Sequence, residues 1–343
     1  MRMFQQRGLS LVELLISITI GLVLMTGIVQ LFLSSKEVFT TQQGLSRLQE
    51  TGRLAVEFIS RDLRQAGYMG CAHPTDWNVG TTLNNGHTFN SSFEFGTPLQ
   101  VYDAPPPNIA LAPAPKAGTQ ILVAYTANDD SASVSQTNTS ELVFIDLTTP
   151  AGEDCPSGIC ANDIVVVADC DKAMVFQVTG FNEVGAEVEL QHQAGADPGN
   201  ARTSWGGNPD NLVETFSEGA EVFKINTVAY YVAEDAEGNP GLYQKIGGDP
   251  SFELLRGVEN LNISVGVDNN ADRAADEYID HGSVGANWKN VVALRVEVLV
   301  RTPEDKATSE NQTYEFAGAE VTATDNRIRQ VFTTTIGVRS KLP

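Results

Sequence analysis

The stretch QQRGLSLVELLISITIGLVLMTGIVQLFL, residues 5–33, decides how this chain is organised. From Leu9 to Leu33 it is apolar except for a few small polar residues, and Glu13 is its only charge. About 25 helical residues at 1.5 Å per residue cross a hydrocarbon core of roughly 30 Å. Arg2 and Arg7 precede the stretch, so we expect its start to lie on the cytoplasmic side. A carboxylate in such a segment is unfavourable by roughly 2.5–3.5 kcal/mol and therefore needs an explanation.

The helical pattern continues beyond the apolar stretch. Small and apolar residues recur at steps of three and four, which places them on one helix face: Leu45, Leu48, Gly52, Ala55, Ile59 and Leu63. No proline occurs before Pro74. The sequence therefore predicts one helix over residues 9–66, membrane-spanning over 9–33, whose second half packs against a soluble domain.

The block RGLSLVELLISITIG, residues 7–21, resembles the class III signal of type IV prepilins. In that family a short basic leader ends in glycine, and a glutamate is the fifth residue of the apolar segment that follows. The resemblance assigns residues 1–8 to the leader, places cleavage between Gly8 and Leu9, and implies N-methylation of Leu9 by the prepilin peptidase. The chain departs from the usual pattern in one respect, because the first mature residue is leucine instead of phenylalanine.

The same resemblance offers a partner for Glu13. The amine created by cleavage is cationic, and in the low dielectric of a helix bundle it would attract Glu13 of a neighbouring subunit. Glu13 is then a residue for subunit docking. The partners implied are other minor pilins, the major pilin, the peptidase and inner-membrane lipid. Solvation of Glu13 at the membrane surface is the simpler alternative.

The rest of the chain is strongly acidic. Residues 67–343 hold 15 basic and 38 acidic residues, a net charge of −23. Binding to nucleic acid is not expected, because phosphate contacts require lysine and arginine. The acidity is explained either by solubility or by an acidic binding surface.

Residues 67–343 also change from helical to strand-like patterns. Runs rich in Val, Ile, Tyr and Phe are separated by Gly, Asn, Asp and Pro, as in an antiparallel sheet. They cover residues 121–127, 141–147, 163–170, 174–181, 187–192, 221–234, 241–246, 259–267, 291–302 and 329–340. A short helical turn is predicted at SFELLRGVEN (251–260), and the segments 102–118 and 192–211 are predicted to be long loops. The predicted fold class is α+β and type IV pilin-like: a long N-terminal helix packed on a large, antiparallel β-rich periplasmic domain.

The four cysteines, all outside the membrane segment, predict two disulfides in a translocated domain. Three pairings are possible. The spacing in CPSGIC favours a local Cys155–Cys160 bridge, which leaves Cys71 for Cys170. A metal site is the alternative, although the spacing is not the paired C-x2-C of zinc modules.

One acidic segment, VDNNADRAADEYID (267–280), suggests a cation site. Its oxygen-bearing side chains could bind Ca²⁺: Asp268, Asn270, Asp272, Asp276 and Glu277. The segment is not an EF-hand, because Arg273 replaces the turn glycine and Ile279 stands where the bidentate glutamate belongs. The alternative is a solvated acidic hairpin with Asx turns.

The segments GVENLNISVGVDNN (257–270), VVALRVEVLVRTPE (291–304) and NRIRQVFTTTIGVRS (326–340) resemble the C-terminal half of PilW-type minor pilins. The resemblance implies a minor pilin in a priming or tip complex of a type IV pilus. Two alternatives stay open: a J-type minor pseudopilin of type II secretion, and a membrane-anchored periplasmic binding protein or enzyme. No catalytic motif is recognisable around the four histidines, so catalysis is not expected.

Overall fold

A computed structural model describes residues 10–68, 70, 79–84, 98–106, 109–152, 154–195, 199–204, 215–285, 287–305 and 311–341, without the side chains of 128–130. The fold class agrees with the expectation: one long N-terminal helix and a large, mainly antiparallel β domain.

The helix α1 spans Leu11–Gln65, 55 residues, or roughly 80 Å. Ser10 is its N-cap, and Ala66 ends it in an extended conformation. Leu9, the predicted first residue, lies outside the described residues. The chain turns into the sheet at Gly67, whose amide donates to the Tyr125 carbonyl and whose φ of +70° suits glycine.

The β domain contains seventeen strands within the described residues. In chain order they are β1 (Val79–Thr81), β2 (Leu99–Tyr102), β3 (Ile121–Gln136), β4 (Leu142–Asp146), β5 (Ile164–Ala168), β6 (Ala173–Gln177), β7 (Gly180–Val184), β8 (Glu187–Gln191), β9 (Glu221–Glu234), β10 (Pro240–Ile246), β11 (Phe252–Arg256), β12 (Val258–Val267), β13 (Glu277–Asp280), β14 (Val291–Arg301), β15 (Thr313–Phe316), β16 (Ala319–Thr322) and β17 (Arg329–Gly337).

These strands form two main sheets and a hairpin. The larger sheet follows the order β1-β6-β5-β9-β3-β4-β8-β7, with β10 and β11 added beside β9 and β2 beside β3. The smaller sheet has the order β13-β12-β14-β17, and β15 pairs with β16. All described pairs are antiparallel except β1 with β6.

Two long strands, β3 and β9, connect the two largest of the four apolar clusters found in the described residues. One core lies between α1 and both sheets, where Leu48 and Ile59 of the helix meet Leu294 and Ile336 of the smaller sheet. The other lies at the far end of the larger sheet and is built from residues between 132 and 222, Leu190 among them. We call these the helix core and the distal core.

Two predicted elements differ from the structure in kind or number, and the run predicted over 121–127 extends to Gln136 as β3. The expected helical turn at 251–260 is wrong: β11 pairs with β10, and β12 begins immediately afterwards at Val258. The run predicted over 174–181 is two strands, β6 and β7, because Val178 and Thr179 bond outside the ladder to the chain at Asp163 and Gln191.

Candidate subunit-docking site

Glu13 lies in the first turn of α1 and closes a capping box. The Ser10 amide donates to Glu13 Oε2 at 3.0 Å, and the Glu13 amide donates to Ser10 Oγ at 3.3 Å. Two amides that have no partner within the helix are thereby satisfied. The carboxylate is exposed in the single chain, so it can exchange this bond for a cationic partner.

The first half of α1 presents a mainly apolar surface, in which Glu13 is the only charged residue. All residues from Leu11 to Leu33 are exposed, and this part of the helix is long and apolar enough to cross a membrane. Its hydroxyl groups bond back to carbonyls one turn earlier: Ser17 to Glu13, Thr19 to Leu15 and Thr26 to Leu22, at 2.7–2.8 Å. No hydrogen of these groups is therefore left unpaired in lipid, where an unpaired polar group is costly.

The second half of α1 carries the predicted stripe onto the domain. Gly44, Leu48, Gly52, Ala55, Ile59 and Leu63 are buried, whereas Leu45 is only partly covered. A Cβ on Gly52 would lie 2.1–2.4 Å from three ring atoms of Phe332 in β17. Only glycine permits this approach, so the stripe fixes where the helix lies on the sheet.

A buried polar cluster lies at the end of this stripe. Asp62 is 7% exposed, and its Oδ2 accepts hydrogen bonds from the Tyr230 hydroxyl at 2.5 Å and from Gln244 Nε2 at 3.1 Å. Burial and the nearby Asp62 carboxylate raise the pKa of Tyr230, so its hydroxyl stays a donor. The sequence analysis missed this cluster, although Asp62 follows Ile59 by three residues and thus falls on the predicted buried face.

A second cluster surrounds the buried Arg329 and joins the start of β17 to β12 and to the loop that precedes β17. The Arg329 guanidinium is 5% exposed and binds two carboxylates bidentately, Glu259 at 2.6 and 3.1 Å and Asp325 at 2.5 and 3.1 Å. Burial alone would lower the pKa of Arg329, but the two carboxylates raise it above its ordinary value. The hydrogen bonds from Arg329 in turn lower the pKa of Asp325. Single-sequence patterns gave no signal for this cluster, because its members lie up to 70 residues apart.

The local disulfide is confirmed. Cys155 and Cys160 are bonded across a turn with Cα atoms 4.3 Å apart, where Ser157 and Gly158 both have positive φ. Cys170 is also disulfide-bonded. Its expected partner, Cys71, lies outside the described residues, so the Cys71–Cys170 pairing stays a prediction.

The acidic segment forms the turn between β12 and β13. The Asp268 carboxylate accepts hydrogen bonds from the amides of Asn270, Ala271 and Arg273 at 2.7–3.1 Å. Desolvation raises the pKa of Asp268, but these donors outweigh it and leave the pKa below its ordinary value.

The other predicted calcium ligands contribute to the same turn. Asp276 Oδ2 accepts from the Asn269 amide, the Asn270 side chain donates to Asp272 and Asp276, and Glu277 accepts from the Asn269 side chain. Within the described residues, no group of three or more His, Cys, Asp or Glu is arranged to hold a metal ion. This geometry is that of an Asx-type turn, and calcium binding there stays a prediction.

Two family models match this chain, one at the start of the helix and one in the C-terminal part of the β domain. The family model of the prokaryotic N-terminal methylation motif matches residues 3–29, a stretch that includes Gly8, Leu9 and Glu13. Gly8 and Leu9 themselves lie outside the described residues, so cleavage and methylation stay predictions. No curated protein and no solved structure matches the chain.

The second match covers most, but not all, of the strands on which the helix lies, because β3 also contacts the helix and lies outside the match. The family model of the type IV pilus-assembly protein W matches residues 229–340, which contain the end of β9 and all strands from β10 to β17. A methylation-motif helix is thus packed on a sheet of the PilW type. These two matches, over residues 3–29 and 229–340, and the pilin-like fold support a PilW-type minor pilin of the type IV pilus.

Proposed function

We propose that this protein is processed at Gly8, stays anchored in the inner membrane with its domain in the periplasm, and joins other minor pilins in a complex that primes or caps a type IV pilus. The observation that carries the proposal is the exposed first half of α1, in which Glu13 is the only charged side chain. An apolar surface of this length, bearing one carboxylate near its start, is suited first to lipid and then to neighbouring helices of the same kind.

Docking exchanges one hydrogen bond of Glu13 for an ion pair. In the single chain the carboxylate caps the Ser10 amide. The methylated amine of a neighbouring subunit is cationic and is the stronger partner in a dry helix bundle. Hydrogen bonds to charged groups contribute about 1.5–3 kcal/mol, so losing this pair weakens docking by about 10- to 150-fold.

Glu13→Gln tests the pairing without disturbing the helix start. Glutamine at this position still accepts from the Ser10 amide, so the capping box remains and only the charge is lost. We expect normal membrane insertion but strongly reduced co-purification with other minor pilins and fewer surface pili. Glu50→Gln, at an exposed carboxylate farther along α1, is the control and should behave as wild type. Normal co-purification of the Glu13→Gln protein would contradict the pairing.

Gly8→Val tests processing. A side chain at this position obstructs the peptidase, so we expect the uncleaved chain to accumulate in the inner membrane. Mass spectrometry of the N-terminal peptide measures this directly. Mature protein that begins at Leu9 in this variant would overturn the assignment of the leader.

The PilW match favours the pilus over type II secretion. Deletion of the gene should therefore remove surface pili and leave secreted enzymes at normal levels. The reverse outcome would assign the chain to the secretion alternative.

A further inference from the structure

The smaller sheet ends in a long strand with an open edge. β17 has nine residues and, within the described part of the chain, pairs with β14 alone, in an unbroken register without a bulge. Edge strands are usually short, charged, bulged or interrupted by proline, because an open edge attracts other strands. β13, at the opposite edge, has four residues and an acidic residue at each end. Residues 331–337 of β17 carry no charge and no proline, and most of them are β-branched.

The bonds that flank β17 show which of its backbone groups face the open edge. The Ile328 carbonyl and the Val338 amide both bond to the chain at the two ends of β14. Successive residues of a strand point their backbone groups to opposite sides, so the even-numbered residues face β14. The amides and carbonyls of Val331, Thr333 and Thr335 therefore point to the open edge, and no described residue bonds to them.

At the start of this edge, a side chain takes the place of a neighbouring strand. The Arg329 amide donates to Gln312 Oε1 at 2.7 Å, and Gln312 Nε2 donates to the Arg329 carbonyl at 2.8 Å. Opposite residues of an antiparallel ladder exchange the same two bonds. The Gln312 amide thus stands in for the first peptide group of an antiparallel strand, and the same pattern is open at Val331, Thr333 and Thr335.

The two faces beside the edge select the side chains of an added strand. Phe332 lies against Gly52 on the face that α1 covers, whereas Thr333 and Thr335 are exposed on the other face. Because side chains alternate along a strand, an added segment would place every second side chain beside Phe332 and the others in water. The edge therefore suits a segment in which apolar and polar residues alternate.

A second copy of this chain does not fit the edge through its own β17. This strand runs in the same direction as α1, because Phe332 lies at Gly52 and Ser340 Oγ donates to the Ala66 carbonyl at 3.0 Å. Antiparallel pairing of two β17 strands would point the two membrane helices in opposite directions. Two copies anchored in one membrane cannot adopt that arrangement.

We propose that the open edge of β17 binds an extended segment of a different polypeptide chain, which adds to the smaller sheet as an antiparallel strand. Backbone hydrogen bonds to Val331, Thr333 and Thr335 hold the segment, and the alternation of its side chains gives the selectivity. The added strand runs toward the membrane. This surface goes beyond the proposed docking through Glu13 and is separate from it.

The test uses the isotope-labelled full chain in phospholipid nanodiscs and the peptide KTVTVTVTK as the probe. Amide exchange measured by NMR should slow at least tenfold at Val331, Thr333 and Thr335 when the peptide is added. The amides of Phe332 and Thr334 are bonded to β14 already, so their exchange should change little. The same peptide methylated on its threonine amides has the same side chains without the pairing donors, and it should give no protection.

Thr333→Pro removes one outward amide that the fold itself does not use, and proline is tolerated at such edge positions. Peptide affinity should fall about tenfold or more, because a hydrogen bond is lost and the ring stands at the edge. Thr333→Ala keeps the amide and is the matched control, which should bind the peptide as wild type does. If Thr333→Pro fails to fold, the methylated peptide still decides the question.

Three outcomes would overturn the proposal. Exchange at the three amides that stays fast at millimolar peptide would show that the edge does not accept a strand. Equal protection by the methylated peptide would show that side chains, and not the backbone edge, hold the probe. Protection without peptide that disappears on dilution would assign the edge to a second copy of this chain.

Discussion

Gly52 shows how one missing side chain positions the whole helix. Alanine normally stabilises a helix interior by about 1 kcal/mol relative to glycine. Here the added Cβ meets the Phe332 ring, and overpacking of this kind costs about 1–3 kcal/mol. We therefore expect Gly52→Ala to lower the free energy of unfolding of the full chain by about 1 kcal/mol, measured by denaturant titration.

The control for Gly52 is on the same helix. A Cβ on Gly27 meets nothing within 4 Å, so Gly27→Ala should leave domain stability unchanged. Adding Phe332→Leu to Gly52→Ala should recover part of the loss, because the smaller side chain makes room. Additive effects of these two changes would show that the contact does not limit the approach of helix and sheet.

The Arg329 cluster predicts a specific response to acid. The folded-state pKa of Asp325 is below its unfolded value, which is about 3.9. The ionised carboxylate therefore stabilises the fold fully above pH 4 to 5, and this stabilisation is lost as the pH falls through the folded pKa. Asp325→Asn should reduce stability at pH 7, and its difference from wild type should shrink below pH 4.

Denaturant titrations between pH 7 and pH 2.5 measure this difference. Glu320→Gln, on the exposed hairpin strand β16, should give a curve parallel to wild type. If the Asp325→Asn difference stayed constant down to pH 2.5, the Arg329 pairing would not be the source of the stabilisation.

Among the elements, the Cys155–Cys160 turn gives the clearest energetic expectation. The bridge closes a loop with a sequence separation of five residues. Loop-closure entropy for so short a loop stabilises the fold by about 2 kcal/mol. The Cys155→Ala, Cys160→Ala double variant should have a free energy of unfolding lower by about this amount in denaturant titration. Because this variant no longer has the bridge, adding reductant should not lower its stability by the same amount again.

The sequence predicted the elements whose burial follows a simple period. β9 begins and ends where its run of apolar and aromatic residues does, and α1 agrees within two residues at its start and one at its end. The helix stripe was predicted for the same reason, whereas Glu13 was singled out by its resemblance to the prepilin signal, and its docking role stays a prediction.

Elements that depend on distant partners could not be predicted in this way. β3 continues through the polar run NDDSASVSQ, because β9 offers a ladder as far as Ser133. β11 forms because β10 is its neighbour, although FELLR alone also suits a helix. The Asp62 and Arg329 clusters similarly unite residues that only the tertiary fold brings together.

At the scale of the molecule, the two cores should respond separately to substitution. The distal core uses residues 132–222, none of which lies in the PilW-matched stretch, whereas the helix core draws on α1 and the matched strands. Leu190→Ala removes a fully buried side chain from the distal core and should cost about 2–5 kcal/mol. Hydrogen exchange should rise most in β4, β7 and β8.

Leu294→Ala is the matched substitution in the helix core. This substitution should raise the hydrogen-exchange rate most in β12, β14, β17 and the second half of α1. Equal increases throughout the domain for both variants would show that β3 and β9 join the two cores into one cooperative unit.

The buried helix stripe also determines how the molecule carries mechanical force. From Gly44 to Leu63 the contacts extend over roughly 30 Å, parallel to the helix axis. A pull along α1 therefore loads all these contacts together in shear, whereas a sideways pull opens them one after another from the Gly44 end. Tension applied along α1 therefore meets the stronger of these two geometries, because no contact of the stripe can open before the others.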